Sequence, residues 1–87
     1  EEPAAVAATP GLEVRLSRAR AGVGDRVEVE AWLPGASGRR WIEARPSRPG
    51  VRIVGPDRAL VEGSEKARFV FTCDVAGRGG VVVVARE

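Results

Sequence analysis

The chain contains no His, Tyr, Asn, Gln or Met, a single Cys, a single Lys and only four aromatic residues, Trp32, Trp41, Phe69 and Phe71. Without an imidazole, a Ser–His–Asp or Cys–His nucleophilic site is excluded, and so is the commonest metal ligand. One cysteine, Cys73, closes no internal disulfide, so packing and hydrogen bonding carry the stability, and neither an oxidising nor a reducing compartment is excluded. No apolar run approaches the roughly 18 residues that a membrane-crossing helix needs, so no membrane insertion is expected. The lack of Asn, Gln and Met, with Arg favoured over Lys, fits a thermophile or a GC-rich genome, and a thermophilic source is the expectation taken forward.

Fourteen basic residues face twelve acidic ones, leaving a net charge of +2. They are scattered and form no block, which reads as solvated strand faces laced with ion pairs rather than a nucleic-acid surface. Gly77-Arg78-Gly79-Gly80 fits a tight hairpin better than an RNA-binding repeat. At 87 residues, with 44% hydrophobic and 30% charged residues, the chain makes one small globular domain.

What remains is alternation. Leu12–Ser17, Arg26–Leu33, Arg39–Arg45, Val51–Val54, Ala59–Val61, Ala67–Val75 and Val81–Ala85 read as seven strands, separated by Gly/Pro turns. No segment keeps a helical apolar period over ten positions. Residues 12–87 are therefore expected to form an all-β antiparallel sandwich. Residues 1–11, rich in Ala and Pro and without a basic start, read as a flexible tether and not as a signal peptide. Val27, Val29, Ala31 and Leu33 are expected inward, sending Trp32 outward with Glu28 and Glu30. Ile42 and Ala44 are placed inward because the opposite choice buries Glu43 and Arg45. Phe69, Phe71, Cys73 and Val75 are expected to form the central core, and Ala59–Val61 an edge strand.

The run Val23-Gly24-Asp25-Arg26-Val27-Glu28-Val29, together with Phe69 to Val84 and its Ala76-Gly77 turn, resembles bacterial immunoglobulin-like sandwich modules. Trp41, followed far downstream by Phe71-Thr72-Cys73, is similar to the Trp and aromatic-x-Cys pattern of antibody-type domains, although Ala31 stands where a partner Cys would sit and Phe71 lacks a tyrosine hydroxyl. The resemblance implies an immunoglobulin-like, seven-stranded sandwich in an exported or cell-surface bacterial protein, acting as a spacer or protein-interaction module.

The residues point to no enzyme, no cofactor and no metal. Cys73 shares a face with Phe69 and Phe71 and reads as core; a thiol redox or metal-carrier role is the weaker alternative. Glu28 and Glu30 project from one strand face about 7 Å apart, a spacing better suited to a solvated face than to paired-carboxylate hydrolysis. The valine run 81–84 is apolar on both faces, so one pair faces outward whichever pair is buried. Trp32, Trp41, Val70, Val81 and Val83 are the candidate partner or ligand surface. The occupant expected there is a neighbouring domain, a protein partner or a second copy; carbohydrate stacking on an exposed indole is the alternative.

Overall fold

The computed structural model describes residues 2–86; Glu1 and Glu87, the outermost residues of the expected tether and sandwich, lie outside them. Nine strands run in order: β1 (Glu2–Ala8), β2 (Glu13–Leu16), β3 (Arg20–Ala21), β4 (Arg26–Trp32), β5 (Arg39–Pro46), β6 (Val51–Ile53), β7 (Arg58–Glu62), β8 (Ala67–Cys73) and β9 (Gly79–Arg86). They form two sheets, β3-β1-β9-β5-β7 and β2-β4-β8-β6. The described residues contain no helix, and hence none long and apolar enough to cross a membrane. The protein is an all-β sandwich.

All seven expected strands form, with ends shifted by a residue or two, and Ala59–Val61 lies within β7 at a sheet edge. Two further strands were not legible. The expected tether is not free: Glu2–Ala8 is strand β1, parallel to β9 in the register Ala4↔Gly79 to Ala8↔Val83. Alanine and proline have low strand propensity, so this segment is extended because β9 supplies a ladder beside it, with β3 closing on Glu2 and Pro3 from the other side. The strand pairing is accordingly mixed rather than wholly antiparallel.

The core follows from strand alternation. The four-stranded sheet sends Val27, Val29 and Ala31 of β4 and Ala67, Phe69, Phe71 and Cys73 of β8 inward, against Ile42 and Ala44 of β5, Val61 of β7, and Val81 and Val83 of β9. Phe71 and Ile42 are its largest fully buried side chains. Val75 departs from expectation: β8 ends at Cys73, the chain bends where the Asp74 N–H donates to the Gly50 carbonyl (2.7 Å), and Val75 is 59% exposed.

Turns are fixed by a few polar side chains. Asp25 accepts from the Gly22 N–H (2.9 Å), Gly24 is left-handed (φ +84°), and the Thr72 hydroxyl donates to the Asp25 carbonyl (2.7 Å). The β5–β6 turn is stapled to the β8–β9 turn. Arg48 Nε donates to the Arg78 carbonyl (2.8 Å), and its Nη2 to those of Val75 and Gly77 (3.0 Å each). Ser47 Oγ accepts from the Gly80 N–H (2.9 Å). Gly79 is required there, since a Cβ would come within 2.7 Å of Ser47 Oγ and φ is +116°. The planar guanidinium reaches the three carbonyls from two separate nitrogens, whereas an ammonium would have to meet all three from a single point. Arg48→Ala should lower unfolding free energy by about 1–2 kcal/mol, with Arg48→Lys recovering less than half, in urea denaturation at an unchanged slope.

Candidate functional site

The five residues expected at a partner surface do not lie together. Val81 and Val83 are fully buried and belong to no surface. Their direction is set by pairing rather than by their own pattern: Val83 lies opposite Ala44 and Ala85 opposite Ile42 on β5, so inward Ile42 and Ala44 carry Val81 and Val83 inward with them. The outward pair is Val82 and Val84, each half-buried within the single chain. Val70 is not their neighbour, because β8 belongs to the other sheet; it stands opposite Glu28 on β4, on the other outer face of the sandwich with Trp32.

Each indole carries a cation over its ring. Lys66 Nζ lies 4.8 Å from the Trp32 ring centroid, and the Arg58 guanidinium 5.1 Å from that of Trp41. Cation packing on the indole is thus the arrangement found, with lysine rather than arginine on Trp32.

On the five-stranded sheet, Trp41 of β5 lies opposite Leu60 of β7, with Val84 and Val82 following on β9 opposite Glu43 and Arg45. Trp41 is 39% and Leu60 50% exposed. Glu43 binds Arg45 (3.1 Å) and Arg86 (3.4 Å). The face carries two apolar pairs, Trp41 with Leu60 and Val82 with Val84, separated by Glu43 of β5 and Arg86 of β9; with Arg39, Arg45 and Arg58 around them, four arginines stand against Glu43 and Glu62 and the face is cationic. Leu60 was missed as a surface residue because its three-residue apolar run shows no alternation; its pairing with Trp41 supplies the missing information.

On the opposite face, Glu28, Glu30, Arg68 and Val70 border a depression of about 340 Å³ walled by Val54 and Pro56. Glu30 binds Arg68 Nε (3.4 Å), while the Glu28 N–H donates to Ser17 Oγ (2.9 Å) and the Glu28 carbonyl accepts from the Ser17 N–H (2.9 Å). On β6, Arg52 Nε donates to the carboxylate of Asp74, which follows β8 (3.2 Å), and the Arg52 pKa is raised above its ordinary value first by that hydrogen bond and then by charge attraction. These are exposed ion pairs that keep a strand face solvated.

Cys73 is buried beside the aromatic core, and no group of three or more His, Cys, Asp and Glu able to hold a metal occurs among the described residues. No protein family, curated protein or solved structure matches this chain. In the native protein Cys73 should resist maleimide for hours and react within minutes in denaturant, read by mass spectrometry; rapid native labelling would remove it from the core.

Proposed function

We propose that this chain is a non-catalytic, immunoglobulin-like module of an exported bacterial protein, acting as a load-bearing spacer that presents an interaction face. The observation that carries the reading is the parallel pairing of β1 with β9. Because the two strands run the same way, Glu2 and Arg86 lie at opposite ends of one sheet. Continuing the register at about 3.3 Å per residue separates them by roughly 30 Å, most of the 38 Å length of a body only 19 × 17 Å across. A chain pulled at these points loads the β1–β9 ladder in shear, so its hydrogen bonds must fail together and not one by one.

The immunoglobulin-like reading is supported by the order β2-β4-β8-β6, which matches the A-B-E-D sheet of such domains, and by the pairing of β5 with β9, which matches C with F. The position beside β9 departs from that scheme, since it is held by β1 from the start of the chain. The exported setting rests on the module resemblance. Thermophilic origin rests on composition.

Trp41 and Leu60 support a protein partner on the five-stranded face: they are large, half-exposed and adjacent, with an arginine rim suited to an acidic surface. The carbohydrate alternative draws less support, because Arg58 and Lys66 occupy ring faces that a sugar would stack upon.

Single-molecule stretching tests the spacer. Unfolding through residues 2 and 86 should need several times the force required through residues 2 and 78, where the ladder peels from one end; equal forces would remove the load-bearing role. Peptides selected from an unbiased displayed library should converge on the Trp41 face, be enriched in Asp and Glu, and lose at least tenfold in affinity for Leu60→Asp. Peptides indifferent to that substitution would remove the face, and indole quenching by oligosaccharides would favour sugar binding instead.

A further inference from the structure

β1 differs from every other long strand in what holds it. Its partners form a slot: β9 offers Gly79–Val83 along one side, and β3 offers Arg20 and Ala21 on the other, with the Ala4 N–H donating to the Ala19 carbonyl (3.0 Å). Among its described side chains, those packed against the core are Ala4 and Val6, both partly buried. The slot, by contrast, is lined by well-buried side chains, Ala21, Val81 and Val83. The backbone groups of β9 and the apolar residues beneath it require an occupant more than β1, with its small side chains, requires this particular site.

The connection from β1 to β2 crosses from one sheet to the other in four residues. Thr9 is fastened to β9, its N–H donating to the Val83 carbonyl (3.0 Å) and its Oγ1 accepting from the Ala85 N–H (3.2 Å). Reversal then falls on Pro10–Leu12, where Gly11 is left-handed (φ +92°) and the Leu12 N–H turns back to the Thr9 carbonyl (3.0 Å). Only this hinge distinguishes a β1 folded onto its own sandwich from a β1 reaching across to another. The ladder, the Thr9 contacts and the buried methyl groups are identical in both arrangements.

From this we infer that two copies of the chain exchange β1, each filling the β3–β9 slot of the other, through straightening of Pro10–Leu12. The inference is separate from the spacer reading. Release proceeds by peeling from the Glu2 end, a route that shear along the ladder does not test, and exchange preserves the same β1–β9 pairing between two copies. The intramolecular strand competes at the high effective concentration set by its short tether, so the exchanged form grows with protein concentration and with any change that disfavours the reversed hinge. Gly11 is that point of control. A side chain there meets only Leu33 Cδ1, at 3.7 Å, so the cost of Gly11→Ala falls on the left-handed backbone, which the closed turn requires and a straightened hinge does not.

Two experiments on the 87-residue chain decide it. Ala7 and Val82 are register partners; the first is exposed and the second faces outward. In a Cys73→Ala background, Ala7→Cys with Val82→Cys, equilibrated at rising protein concentration and oxidised with copper–phenanthroline, should give a disulfide-linked dimer whose share increases with concentration. A link that stays within one chain at every concentration overturns the inference, including the case in which the protein dimerises through another surface. Sedimentation equilibrium of Gly11→Ala, in a chain otherwise unaltered, should show a dimer dissociation constant lowered by roughly tenfold. An unchanged or weaker association overturns it equally, and the cysteine pair remains decisive if that variant folds poorly.

Discussion

The inward register shared by β5 and β9 is the constraint on which the rest of the molecule depends. With Ala44 opposite Val83 and Ile42 opposite Ala85, one residue of slip would turn Glu43 and Arg45 into the interior and expel Ile42. That register places Val81 and Val83 over the aromatic layer of β8, leaves Val82 and Val84 outside, and presents the far edge of β9 to β1. Burial of Phe71 and Ile42 between the layers then holds the two sheets together without a disulfide.

The two outer faces differ in composition. The β2-β4-β8-β6 face is broken up by ion pairs, Glu30 with Arg68 and Arg52 with Asp74, and its indole lies under Lys66. The β9-β5-β7 face keeps the apolar pairs Trp41 with Leu60 and Val82 with Val84 among four arginines. The large half-exposed pair Trp41 and Leu60 thus lies on one side of an elongated body, with Glu2 and Arg86 towards its opposite ends. This division supports the spacer proposed above.

Cross-links between turns explain how so small a sandwich keeps its shape. Arg48, in a segment that reads as a simple break after a strand, reaches the carbonyls of Val75, Gly77 and Arg78, thirty residues away in sequence at most. The glycines at 77 and 79 leave room for that guanidinium and for Ser47. A turn read locally as permissive is in fact shaped by a distant side chain.

Local pattern was sufficient wherever one strand face is apolar and the other polar. Val27-Glu28-Val29-Glu30-Ala31 and Ala67-Arg68-Phe69-Val70-Phe71 declared their strands and their buried sides, because burying the other set would desolvate Glu28 and Glu30 in the first and Arg68 in the second. The same reasoning, from the sequence alone, placed Ile42 and Ala44 inward and Trp32 outward. It failed where both faces are alike or neither is strongly apolar. Four consecutive valines carry no phase, so Val81 and Val83 were assigned to a surface they do not reach. Glu2–Ala8 has too little strand preference to announce β1, which exists because β9 and β3 offer it hydrogen bonds. Alternation is a property of one segment and can be read from it; register, parallel pairing and the meeting of Trp41 with Leu60 are properties of two segments, and only packing decides them.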